Sequence, residues 1–121
     1  MIRVEPYISV DVFIDQYEKF VMDCMTDKVK DPEERIHWAT DELIAEAGEV
    51  KGVLAKARRK HGSIQIEDYD KLIDELGDVL WSLVASMKCV DSRLNLLDLM
   101  GINQSKLQKR IDSGISYTKK D

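Results

Sequence analysis

Three observations predict an all-α fold for this chain of 121 residues. Its two prolines, Pro6 and Pro32, both lie early, so nothing after residue 33 forbids a long helix. Apolar residues recur at spacings of three and four along most of the chain, the period of a helix face. Strand signals are nearly absent, since Ile64-Gln65-Ile66 is too short a run to build a sheet. The expectation is a single domain over residues 1–121, a bundle of four to five helices with its core between about 10 and 113.

Residues 1–8 read as an extended arm. A first helix is predicted over about 10–26, with Ser9 as N-cap and Val12, Phe13, Tyr17, Phe20, Val21 and Cys24 at helical spacing. After a connection at 26–30, Asp31-Pro32-Glu33-Glu34 has the form of a helix start: a capping Asp, Pro in the first turn, and acids against the positive end of the dipole. That second helix runs to about Arg59, where Lys56-Ala57-Arg58-Arg59-Lys60 suits the negative end and His61-Gly62 stops it. A third helix follows a loop at 62–66 and covers about 67–90, its apolar face formed by Leu72, Ile73, Leu76, Val79, Leu80, Leu83, Val84 and Met87. Asp91 or Ser92 is placed to cap a short fourth helix ending at Gly101, and a fifth over about 102–113 stops at Gly114. The tail, Lys119-Lys120-Asp121, reads as frayed.

Composition narrows the function classes. With 44% apolar and 34% charged residues the chain is globular, not disordered. A net charge of −5 and a pI near 5.1 argue against a surface that coats nucleic acid, though not against a small anion, because a bound metal reverses the local field. No apolar run approaches the ~18 residues of a membrane span. The start lacks the basic stretch and apolar core of a secretory signal. Cys24 and Cys89 form no CxxC and read as two buried, reduced thiols. A cytoplasmic protein without membrane or nucleic-acid partners is expected.

The chemistry-bearing pattern is acidic. The second helix carries Glu46-Ala47-Gly48-Glu49, an ExxE, and the third carries Glu75-Leu76-Gly77-Asp78, an ExxD. Residues three apart share a helix face, about 4.5 Å apart along the axis, so each pair is a two-pronged oxygen ligand. If the helices pack antiparallel, four carboxylates face one another, an arrangement that divalent cations relieve. Single ExxE pairs are commonplace on solvated faces. These two are set among apolar residues, and each holds a Gly directly before its second acid. A helix-interior Gly costs about 1 kcal/mol relative to Ala, so Gly48 and Gly77 imply close helix approach or room for a ligand.

Leu43-Ile44-Ala45-Glu46-Ala47-Gly48-Glu49-Val50, followed by Asp74-Glu75-Leu76-Gly77-Asp78-Val79-Leu80-Trp81, resembles the MazG-like all-α NTP pyrophosphohydrolases, the superfamily with MazG, HisE, dCTPase and dimeric dUTPase branches. The resemblance covers about residues 34–112. Asn103, Lys106 and Arg110 match the family's N-x-x-K-x-x-x-R helix, whereas Ala45 stands where many members have a further Glu; Glu42 lies one turn earlier. The resemblance implies a MazG-like helical bundle that assembles as a homo-oligomer, dimer or tetramer. It implies cleavage of a nucleoside triphosphate between the α and β phosphates, giving the monophosphate and pyrophosphate. Glu46, Glu49, Glu75 and Asp78 would be the catalytic and metal-binding residues, with two to three Mg²⁺ or Mn²⁺ ions. Such ions neutralise a triphosphate and lower the pKa of an attacking water. The opening residues 8–23 resemble stand-alone, often phage-borne members, located in the host cytoplasm, some of which trim dGTP or other deoxynucleotides. On that analogy guanine is placed ahead of other bases.

Further substrate contacts are read from position and charge. Lys56, among Lys51, Arg58, Arg59 and Lys60, is a candidate for the β and γ phosphates, against the alternative of a solvated helix end. Trp38 falls within about 40° of Glu42 and Glu49 around the helix and is a base-stacking candidate, against ordinary core packing. His37 resembles a histidine that some members carry before the motif; its alternative is a partly exposed structural role. Asn103 offers both donor and acceptor to a base or sugar, and Lys106 and Arg110 share one face. Two competing readings remain. A di-iron bundle needs two ExxH motifs, and only Glu34-x-x-His37 fits, about 18 Å along the helix from Glu46. A non-enzymatic helical interaction module would use the apolar faces alone.

Overall fold

The computed structural model describes residues 8–114, so the expected arm at 1–8 lies almost wholly, and the frayed tail wholly, outside the described residues. Four helices occur among the described residues: α1 (Val10–Cys24), α2 (Pro32–His61), α3 (Ile66–Val90) and α4 (Leu96–Asp112). No strand is present among the described residues, so the fold is all-α. Among the described residues no helix is long and apolar enough to cross a membrane.

The start of α2 forms as its sequence dictates. The Asp31 carboxylate accepts from the Glu34 N–H at 3.0 Å, and Pro32 occupies the first helical position. The helix runs two residues beyond Arg59 and ends at Gly62, whose φ of 74° is left-handed and whose N–H donates to the Arg58 carbonyl. Residues 62–65 then return α3 antiparallel to α2. Here the N-cap is Gln65, whose N–H donates to the Asp68 carboxylate at 2.8 Å, which accounts for the burial of Asp68.

The two expected C-terminal helices are one. Asp91 and Ser92 do not begin a helix: Asp91 closes α3, and its carboxylate accepts from the Arg93 N–H at 2.9 Å. Asn95 is the N-cap, in a reciprocal pair with Asp98 at 2.8 and 3.0 Å. The helix passes through Gly101 unbroken. One interior Gly costs only about 1 kcal/mol, too little to break a helix so well capped at its start.

The extensive helix pairings are α2 with α3 and α1 with α3. Val21, Ala39, Val84, Ala85 and Met87 form the buried core, flanked by Tyr17, Trp38, Trp81, Cys89, Leu94, Leu96 and Leu99. It occupies the start of α2 and the end of α3, so the acidic pairs lie beyond it, midway along the hairpin. Burial of both thiols is corrected: Cys24 is exposed and Cys89 half-buried. Cys24 is the last residue of α1, and after Val21 it is Met25, not Cys24, that packs against the core.

Much apolar surface stays open. Ile66, Tyr69, Ile73, Leu76 and Leu80 are all exposed, and their spacing of 3, 4, 3 and 4 makes one stripe along α3. None of the residues of α4 is fully buried.

Candidate functional site

Antiparallel pairing of α2 and α3 sets the acidic segments opposite one another. Glu46, Glu75 and Asp78 each present a carboxylate oxygen within 4.8 Å of the others, Glu46 and Glu75 half-buried and Asp78 exposed. No lysine or arginine among the described residues is ion-paired with these three. Glu46 has its pKa raised above the usual glutamate value, first by partial desolvation and then by the charges of Asp78, Glu42 and Glu49. Glu75 is raised in the same way, by desolvation and then by Asp78, Glu49 and Glu46. Glu49 stands outside the 4.8 Å group but contributes to the field on both.

This donor set fits a hard divalent cation: carboxylate oxygens from two helices, with Asp78 open to solvent and no ion pair to a cationic side chain among the described residues. Glu34 and His37, the residues of the ExxH reading, belong to no such group among the described residues. Gly48 and Gly77 resolve in favour of space. A Cβ added to either would meet nothing within 4 Å, so no close helix approach occurs at these glycines among the described residues.

The sequence-derived cations distribute unevenly. Lys56 lines a cavity of about 350 Å³ with Glu49, Gly52, Val53, Arg59, Asp68 and Lys71. Glu49 is shared between the two groups: its charge acts on Glu46 and Glu75, and it lines the cavity that holds Lys56, Arg59 and Lys71. Lys71 was not singled out from sequence. It lies four residues before Glu75, on the same face of α3, and that spacing was the available signal. Lys51 and Arg58 line a separate cavity of about 180 Å³ with Leu54 and the 62–64 turn.

Trp38 is half-buried and packs against the core, and Trp81 does the same from α3, as expected for the latter. His37 and Asn103 are exposed. Lys106 and Arg110 border a concavity of about 650 Å³ formed with Gly101, Ile102, Ser105 and Lys109, all on α4. Since α4 has no extensive pairing with α2 or α3, these residues stand on a separate element from the carboxylates in this chain. Tyr17 of α1 is a further neighbour that sequence reading assigned only to an apolar face. Its pKa is raised by burial and by the charge of Asp78, which puts the phenol within the field of the acidic site.

Comparison with known proteins agrees with this geometry. Residues 36–114 match the model of the MazG nucleotide pyrophosphohydrolase domain. The chain is also 36% identical over 83 residues to the Gene 37 protein of Mycobacterium phage L5, an alignment covering 68% of this chain and 71% of that protein. No solved structure matches significantly. The matched span contains both acidic pairs and all of α4, and the chain belongs to the MazG family of nucleotide pyrophosphohydrolases.

Proposed function

We propose that this protein is a metal-dependent nucleoside triphosphate pyrophosphohydrolase that converts a (d)NTP to the (d)NMP and pyrophosphate, with guanine nucleotides preferred. The carrying observation is the convergence of Glu46, Glu75 and Asp78 from two helices, with no ion-paired lysine or arginine among the described residues. Family membership supports the reaction class, and likeness to a phage protein is consistent with a phage-borne enzyme working in the host cytoplasm.

Glu46, Glu49, Glu75 and Asp78 would hold the Mg²⁺ or Mn²⁺ ions. When bound, such ions neutralise the triphosphate and lower the pKa of the attacking water. The chain's own residues do the rest. Lys56, with Arg59 and Lys71, offers donors to the terminal phosphates and so orients the scissile α–β anhydride toward the acids. Lys106 and Arg110 supply further phosphate contacts, and Trp38, Asn103 and His37 address the base or sugar. The exposed stripe on α3 supports a homo-oligomer, in which a second copy covers that face.

The test is turnover of a panel of common NTPs and dNTPs, with pyrophosphate as the product measured. Mg²⁺- or Mn²⁺-dependent release, highest with dGTP or GTP, is the expected result. Release of orthophosphate in place of pyrophosphate would refute the reaction. No release from any nucleotide would favour the non-enzymatic interaction module.

A further inference from the structure

Among the described residues one ion pair is withdrawn from water. Glu18 of α1 and Lys88 of α3 meet at 2.9 Å with 4% and 10% of their side chains exposed. The pair does more than join two helices. The second Glu18 oxygen accepts from the Leu96 N–H at 2.8 Å, which is the first residue of α4. Lys88 Nζ donates to the carbonyls of Leu94 at 2.7 Å and Ser92 at 3.3 Å, the segment that leads into α4. The root of α4 is thus tied by charge-assisted bonds to two helices at once.

The rest of α4 is held lightly. Beyond Leu99 only Leu107 and Arg110 are even half-buried. From Leu96 it is about 15 Å along the helix to Lys106 and about 21 Å to Arg110. A tilt of about 10° at the root would therefore move Arg110 by about 4 Å, from the same geometry.

We propose that the buried Glu18–Lys88 pair is a positioning device that sets the direction of α4, and through it the reach of Lys106 and Arg110 toward the substrate phosphates. The second half rests on the reading that α4 contacts substrate. Neither Glu18 nor Lys88 touches substrate; both act through the helix they anchor.

The test compares the wild-type enzyme with Glu18→Gln/Lys88→Met. This double variant leaves no unpaired buried charge and keeps an acceptor for the Leu96 N–H, but removes the donors to Leu94 and Ser92. The KM for the nucleoside triphosphate is expected to rise at least about five-fold, with kcat within about two-fold. Amide exchange over 96–112 is expected to quicken about ten-fold while α2 and α3 keep their protection. Lys88→Arg, which retains charge and donors, should stay near wild type. Wild-type KM and α4 exchange in the double variant would overturn the proposal. So would failure of that variant to fold, or equal loss of protection in every helix, because the pair would then serve stability alone. Lys106→Ala and Arg110→Ala separate the two readings. Unchanged KM in both removes α4 from substrate contact, and the exchange data still decide whether the pair positions the helix.

Discussion

At the residue scale, repulsion within the acidic cluster ties metal binding to stability. Asp78 lies in the field of both Glu46 and Glu75, whose carboxyl pKa values stand above normal. Asp78→Asn should therefore raise the melting temperature of the metal-free protein while lowering turnover at least 100-fold, beyond the roughly 10–100-fold typical of losing an outer-shell partner. Calorimetry in EDTA and pyrophosphate release measure the two effects. Glu49→Gln combined with Asp78→Asn retaining full turnover would remove the cluster from the mechanism. The pH dependence has a definite sign. Glu46 and Glu75 bind protons more tightly folded than unfolded, so their contribution to stability is present below the ordinary glutamate pKa of 4.5 and is lost as pH rises through their higher folded values. Relative to Glu46→Gln/Glu75→Gln, the metal-free wild type should lose melting temperature as pH rises upward from about 4.5, and saturating Mg²⁺ should abolish the difference. The convergence of Glu46, Glu75 and Asp78 was legible in sequence because i, i+3 spacing on a helix fixes a shared face, whereas Glu49, read as their equal, stands outside the group. Lys71 was not legible, since its meaning depends on Lys56 and Arg59 lying across the hairpin.

At the scale of elements, side-chain caps mark where α2 and α4 begin, and glycine ends a helix at Gly62, where φ is left-handed, but not at Gly101. Gly62 and Gly101 make the contrast testable. Gly62 holds a φ of 74° in open space, so Gly62→Ala places a side chain in the left-handed region at a cost of about 1–2 kcal/mol. Gly101 sits inside α4 with nothing within 4 Å of an added Cβ, so Gly101→Ala should stabilise by up to about 1 kcal/mol. Urea unfolding of the two variants should show midpoints moving in opposite directions. A break at Gly101 would instead make the alanine variant gain helix by circular dichroism. The hairpin of α2 and α3 was readable because Asp31-Pro32 and Gly62 are strong local signals. The single α4 was not, because Asn95 competes with Asp91 and Ser92 as a cap; the reciprocal Asn95–Asp98 pair and the buried contact of Glu18 with the Leu96 N–H together mark where the helix begins.

At the scale of the molecule, the exposed face of α3 argues for a second copy. At 100° per residue, Ile73 lies roughly opposite the face that carries Glu75, Asp78 and Lys71. The catalytic candidates thus look along the hairpin's inner face while Ile66, Tyr69, Ile73, Leu76 and Leu80 look away from it, so one helix serves the site and an interface without conflict. Their alternating spacing is that of a helix seam, and a contiguous apolar patch of this kind is uncommon on a monomer. Ile73 is 68% exposed, so placing a charge there disturbs no core packing within the chain. Ile73→Glu should therefore keep its helical circular dichroism yet shift, by light scattering at micromolar concentration, toward the 13.9 kDa monomer. Wild type should give a multiple of that mass. A wild-type monomer would refute the homo-oligomer, and an Ile73→Glu oligomer would move the interface to α1 or α4. If the variant monomer also loses turnover with its carboxylates intact, the second copy contributes to the site. Turnover unchanged in the monomer would place every substrate contact within one chain.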